Sequence, residues 1–531
     1  MSIKLRWGPF GAEHLTIVSL LLSNNWSVLL PEGTVKSGSM SSPLSTLKSR
    51  LADVNALTAA VTIMDWDQQT YMPRGGAEAR SQHLGILSRM AHETLVSDET
   101  RSALENASAE TEDDQAMLRV VRRSVDLATK LPSTLVEEKT RLSAIAHERW
   151  VEARSKSDFA SFAPTLQKMF DIVGQEAEYL GYTNHIYDAL LDQYEQGATA
   201  AEVRTMFDGI KGPQVALVKA ISEKPVIDDS ALYGTWDENS QREFTEMLVK
   251  SIGFDFNRGR QDTAPHPFCT GWSVGDIRLT TRYKPYIGSA IFGSLHEAGH
   301  GMYEQGSPMA WDRTPLAGGV SLGIHESQSR TWENIVGRSK AFWQHFLPAL
   351  QAKFPALSGF DLNSFYRAIN KVEASYIRVE ADELTYNLHV LVRFEIECDV
   401  LTGKLAIKDL PEAWNAKYQE YLGITPRNDA EGCLQDVHWS MGSIGYFPTY
   451  SMGNLLSYQI WTALEKQIPN TQELMAQGNF EPIHGWLTTN VYSVGKKFTP
   501  KDLIQKVTGK PVDPSDYLAG LEAKYSAIYD L

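Results

Sequence analysis

Apolar residues step through the start of this chain at intervals of three and four: Leu44, Leu47, Leu51, Val54, Leu57, Val61 and Met64. That spacing lines one face of a helix and restricts the fold more than any other feature. Pro73 with Gly75 and Gly76 ends the run. The same period predicts helices near 77–95, 97–108, 112–131 (stopped by Pro132), 159–181, 200–222, 240–252, 362–402 and 411–421. Thr134 with Glu137 reads as a capping box for a helix toward Trp150. One segment, Val274 to Tyr283, alternates instead. Asp276, Arg278, Thr280 and Arg282 share one parity and Ile277, Leu279, Thr281 and Tyr283 the other, which means a strand with one polar face. The expected class is mainly α with a small β element.

Composition narrows the function. The 531 residues carry 65 acidic and 50 basic side chains, a net charge of -15, which repels phosphate backbones and argues against nucleic-acid partners. Cys269, Cys398 and Cys433 are far apart, so neither a disulfide framework nor a thiolate zinc cage is expected, and a cytoplasmic protein with reduced thiols is. Leu15–Leu30 is apolar but broken by Ser23, Asn24 and Asn25, too short to span a membrane. Residues 1–39 are expected to be an N-terminal extension outside the fold, with a targeting segment as the rival reading. Residues 40–531 are expected to form a single catalytic domain.

After the strand comes His296-Glu297-Ala298-Gly299-His300, an H-E-x-x-H sequence. On a helix, positions i and i+4 share a face, so His296 and His300 can offer a nitrogen each to one ion. Glu297 lies about 100° round the helix, a poor ligand but well placed as a base for a water on that ion. The plain alternative is a pair of hydrogen-bonded core histidines. Gly299 allows another element to approach closely. Catalytic zinc takes three protein ligands and keeps one position open. The third ligand must come from the His325–Asn334 segment, where Glu326 and Glu333 are seven apart. Spacing favours Glu326 without excluding Glu333, whose other role would be to accept a hydrogen bond from a ligand histidine.

With those motifs the chain resembles the carboxypeptidase Taq family of metallocarboxypeptidases, from about Leu44 to the C-terminus. Six short motifs occur in order: His266-Pro267-Phe268; D-x-R-x-T at Asp276, Arg278 and Thr280; H-E-x-x-H at 296–300; H-E-S-Q at 325–328; I-R-x-x-A-D at Ile377, Arg378, Ala381 and Asp382; and G-x-x-Q-D-x-H-W at Gly432, Gln435, Asp436, His438 and Trp439. The resemblance implies a two-lobed helical metallopeptidase with a long substrate groove, a small antiparallel sheet beside the H-E-x-x-H helix, and a homodimer. It implies the metal ligands His296, His300 and Glu326, with Glu297 as general acid/base.

Peptide hydrolysis also needs a donor for the tetrahedral oxyanion. His438, Tyr446 and Tyr450 are candidates. A carboxypeptidase must read a free carboxylate, for which an arginine suits. Arg378 is the first choice, its structural alternative being a pair with Asp382. Arg278 is the second, expected to line the cleft or to pair with Asp276. His266 and Asp276 read as shaping residues. The cofactor expected is one divalent ion per chain, zinc first and cobalt or manganese next. Peptides are the expected substrates. The rival readings are an H-E-x-x-H endopeptidase or aminopeptidase, or a non-catalytic peptide-binding helical scaffold.

Overall fold

Many helices start where the sequence supplies a capping side chain. Thr111 and Asp114 form a reciprocal capping box before the helix Glu112–Lys130, and Thr199 with Glu202 does the same before Ala200–Ser222. Asp237 caps Glu238–Ser251, two residues earlier than the apolar period suggests. A computed structural model describes residues 42–531; the expected extension, residues 1–39, lies outside the described residues. The helices expected near 77–95, 97–108, 112–131, 159–181, 200–222 and 411–421 are present within one or two residues at each end.

Two local expectations fail. The helix Ser133–Lys156 begins after Pro132 with no side-chain cap, so Thr134 and Glu137 lie inside it and form no capping box. The period read through 362–402 is two helices, Leu362–Ile369 and Tyr386–Leu401. Asp382 causes part of the break: its carboxylate accepts from the Leu384 and Thr385 N–H groups and from the Thr385 hydroxyl, starting a new helix rather than continuing an old one.

The alternating segment is the strand β3 (Asp276–Thr281), centre of a three-stranded sheet with β1 (Gly259–Thr263) and β2 (Cys269–Ser273) in the order β1-β3-β2. The expected antiparallel sheet is corrected to a mixed one. β2 and β3 are joined by the tight Val274-Gly275 turn and so run antiparallel, with Cys269 opposite Leu279. β1 lies on the other side of β3 and runs parallel to it, with Gly259 opposite Ile277.

Most buried apolar side chains fall into two large clusters, and a smaller third gathers Leu44, Leu47, Leu51, Met117 and Val121. Of the two large ones, the first gathers Phe162, Leu166, Phe170, Leu388, Phe394 and Trp414; the second Phe254, Ile291, Leu295, Trp332, Phe342 and Phe480. The helix Pro448–Glu465 contributes Met452 and Leu455 to the first and Leu456 and Ile460 to the second. Among the described residues no helix is long and apolar enough to cross a membrane.

Candidate metal centre

The H-E-x-x-H sequence lies within the helix Gly288–Gln305, whose Ile291, Leu295, Ala298 and Met302 face the second cluster. The next helix, Leu322–Arg330, is capped by Ser321 and runs into a π-helical turn, Thr331–Val336, of the kind that recurs at functional sites. The two helices approach closely because residue 299 is glycine. A Cβ there would stand 2.5 Å from the Gln328 carbonyl oxygen and 2.6 Å from the Ser329 Cα. Gly453 does the same from the helix Pro448–Glu465, where a Cβ would stand 2.4 Å from Glu326 Cγ.

Among the described residues, His296, His300 and Glu326 bring ligand atoms within 4.8 Å of one another. Glu326 Oε2 is 3.6 Å from His296 Nε2 and 3.4 Å from His300 Nε2. The outer nitrogens are engaged elsewhere. His296 Nδ1 is 2.8 Å from Glu333 Oε2, so Glu333 orients a histidine rather than joining the converging trio. His300 Nδ1 is 2.6 Å from His325 Nδ1, and His325 Nε2 is 2.7 Å from Glu304 Oε1. With protons on His296 Nδ1, His300 Nδ1 and His325 Nε2, both chains end on carboxylates and both Nε2 lone pairs point inward. The donors present therefore fit a divalent cation: two neutral imidazole nitrogens and a carboxylate oxygen.

The charges agree. Arg330 donates from Nε to Glu326 Oε1 and from Nη1 to Glu333 Oε2, and lies against the Tyr386 ring. Burial opposes ionisation of Glu326, yet Arg330 and the histidines hold its carboxyl well below the ordinary range. Burial opposes a charge on His296 too, but Glu326 and Glu333 raise it to about 9, so the pocket favours a positive charge at this position, and a bound cation would take the place of the Nε2 proton. Burial, with Glu326 and Glu333 nearby, pushes Glu297 up to about 7 although His296 opposes this.

A second group lies beside the first. Asp436 accepts from Arg378 Nε and Nη2 (3.2 and 2.7 Å) and from Arg393 Nε (2.7 Å). Arg378 Nη1 donates to the Tyr386 hydroxyl at 2.8 Å. Arg378 is 4% exposed, in the short turn Arg378–Glu380, and does not pair with Asp382. Tyr446 and Tyr450 pack edge to face, and Glu326 raises the pKa of both after burial does. His438 Nε2 is 3.5 Å from the Tyr450 hydroxyl, and its buried Nδ1 has no hydrogen-bond partner. Arg278 shares no hydrogen bond with either group. It pairs with Asp276 and is sandwiched between Trp66 and Trp272 at 4.3 and 4.4 Å.

Sequence reasoning missed His325, Glu304 and a loop from far upstream. The Tyr194 carbonyl accepts from the Leu322 N–H and Glu195 Oε2 from the Gly323 N–H, fixing the start of the helix that carries Glu326. His325 was readable in principle, since it adjoins Glu326, and so was Glu304, four residues after His300 on the same face. Glu195 left no local signal.

The profile described as carboxypeptidase Taq (M32) metallopeptidase matches residues 46–525. Thermostable carboxypeptidase 1 of Thermus thermophilus is 38% identical over 499 residues, 90% of this chain and 96% of that protein. Carboxypeptidase 1 of Bacillus subtilis is 38% identical over 488 residues, 90% of this chain and 97% of that protein. The crystal structure of the M32 carboxypeptidase from Deinococcus radiodurans superposes with a TM-score of 0.91 at 37% identity, covering 92% of this chain and 100% of that one. The Pyrococcus furiosus carboxypeptidase gives 0.89 at 36%, covering 92% and 99%.

Proposed function

Since the chain belongs to the carboxypeptidase Taq (M32) metallopeptidase family and is a metal-dependent carboxypeptidase, we propose that His296, His300 and Glu326 hold its metal and that Glu297 is its general acid/base. One observation carries this reading: both Nε2 atoms and Glu326 Oε2 converge while every outer nitrogen is already bonded. A divalent ion in such a site supplies Lewis acidity, activating water and polarising a carbonyl. The ion assigned is zinc, and cobalt or manganese suits the same donors.

The chain's own residues supply the rest. Glu297 accepts a proton from the attacking water and returns it to the leaving amine. His438, Tyr446 and Tyr450 are the donors offered to the oxyanion. Arg378 reads the substrate carboxylate. Its guanidinium has five N–H groups; Asp436 and Tyr386 take three, leaving two. Arg378 and Arg393 share one carboxylate, so the group keeps a net positive charge that a substrate carboxylate would balance. Arg278 is the second substrate-binding candidate, held by Asp276 and stacked on Trp272, which lines a cavity. The reading includes residues 1–39 as an extension outside a single catalytic unit of 40–531, a cytoplasmic location supported by three free thiols, and a homodimer supported by the family resemblance.

Metal analysis beside turnover tests the assignments. Glu297→Gln should keep near-normal metal content and lose at least roughly 100-fold in activity. Glu326→Ala should lower metal occupancy, and Glu333→Ala should do so far less. Full activity in Glu297→Gln, or loss of metal in Glu333→Ala alone, would overturn them.

A further inference from the structure

Two arginines beside the Arg378 turn carry charges that no acid answers. Arg154 lies in the last turn of the helix Ser133–Lys156, over the Trp150 ring at 5.4 Å from its centroid. Arg282 follows β3, and its Nη1 donates to the Pro265 carbonyl at 3.4 Å. Both are half-buried, and among the described residues neither forms an ion pair. A chain of net charge -15 has acids to spare for its arginines, so two left unpaired close together are unexpected.

Separate contacts tie them to the site. Arg154 and Ile377, the residue before Arg378, line one open concavity of about 470 Å³. The acid in that concavity, Glu431, is held by Arg427. Lys284, two residues after Arg282, pairs at 3.2 Å with Glu380, the last residue of the Arg378–Glu380 turn. The Pro265–Phe268 loop that Arg282 touches lies on the H-E-x-x-H helix. A Cβ on Gly293 would stand 4.0 Å from Pro267 Cγ, and Gly293 is four residues before Glu297 on the same face. His266 joins the two arginines. Partial burial lowers its pKa first, and the charges of Arg282, Lys284 and Arg154 lower it further. Lys284 is balanced by Glu380, which leaves Arg154 and Arg282 uncompensated.

We propose that Arg154 and Arg282 form a cationic mouth that draws the carboxylate end of a peptide toward Arg378, so that the end to be cut is selected before contact. The inference rests on the reading of Arg378 as the carboxylate reader and adds what that residue cannot do. Arg378 is 4% exposed and acts only on a carboxylate that has already arrived. The body of the protein, at net charge -15, repels such a carboxylate, and a local positive rim reverses the sign along the approach. The two arginines touch nothing that reacts. They act on the rate of capture, as charges at the rim of a binding site do.

The dependence of kcat/KM on salt tests this. The substrate is an N-acetylated peptide with uncharged side chains, whose single charge is its C-terminal carboxylate; its amide carries none. Wild type, Arg154→Gln/Arg282→Gln and Arg154→Lys/Arg282→Lys, each metal-loaded, are compared at roughly 0.02 M and roughly 0.5 M salt, between which the Debye length falls from about 20 Å to about 4 Å. A unit charge about 10 Å away in water changes an encounter by about 2-fold, so the double glutamine variant should lose roughly 4-fold in kcat/KM for the acid at low salt. It should match wild type at high salt, keep its kcat, and show no loss with the amide. The lysine variant should match wild type throughout, because steering needs the charge and not the guanidinium fork. A loss that persists at high salt, that appears equally with the amide, or that lysine does not restore would overturn the proposal, as would no loss at low salt. Arg378→Ala compared with wild type at high salt, where the mouth is screened, reports on carboxylate reading alone, so the two readings fail separately.

Discussion

Arg378 is fixed before any substrate arrives. Asp436 takes two of its N–H groups and Tyr386 a third, so little side-chain entropy remains to be lost on binding. If its remaining donors read the substrate carboxylate, amidating the peptide and replacing Arg378 by Ala remove one and the same contact. Each change should lower kcat/KM by roughly 10- to 150-fold, the range of a charge-assisted pair. Together they should cost little more than either alone. Arg378→Lys should rescue only in part, because a point charge cannot reproduce the fork. The check is a two-by-two comparison of acid and amide peptide with wild type and Arg378→Ala. Additive losses would show that Arg378 does not read the carboxylate.

At the scale of elements, packing distance positions Glu326. Gly453 lets the helix Pro448–Glu465 lie directly against its Cβ and Cγ, and Gly299 lets the H-E-x-x-H helix lie against Gln328 and Ser329. Gly453→Ala should displace the Leu322–Arg330 helix, destabilise the protein by about 1–3 kcal/mol and weaken metal binding. Gly174→Ala, inside the helix Phe159–Leu180 with nothing within 4 Å of the added Cβ, should instead raise Tm slightly. Thermal melts and chelator competition on the two variants check the contrast; equal behaviour would mean that contact at Gly453 is unimportant. These elements were unevenly legible. The period of three and four located most helices, because one-sided burial produces it. It ran unbroken across 370–385, where a side-chain cap and a short turn intervene without changing the apolar count. β1 and β2, Gly-Arg-Gln-Asp-Thr and Cys-Thr-Gly-Trp-Ser, are too short and mixed to alternate, so only β3 was visible and the parallel partner was missed.

For the whole molecule, the site lies where two clusters meet, with the H-E-x-x-H helix packed in one and Tyr386, Trp439 and Phe447 in the other. His296, His300 and Glu326 were readable because their spacing is local and each belongs to a short motif. His325 and Glu304 were readable as neighbours of those motifs, though not their pairing across two helices, whereas the hold of Glu195 on Gly323 left no local signal because it joins segments 128 residues apart. Every chemical residue named lies beyond residue 260, and the family match begins at residue 46. A protein lacking residues 1–39 should therefore keep its Tm and turnover. Aggregation or loss of activity in that truncation would show that the extension packs on the body.

The central claim is that one metal centre releases single residues from a free C-terminus. It is tested most directly by mass spectrometry of one peptide, as free acid and as C-terminal amide, incubated with metal-loaded and with chelator-stripped protein. The account predicts a ladder shortened one residue at a time from the C-terminus, strong for the acid, weak for the amide, and absent after chelation. Internal fragments, trimming from the N-terminus, or an unchanged ladder from the stripped protein would contradict it.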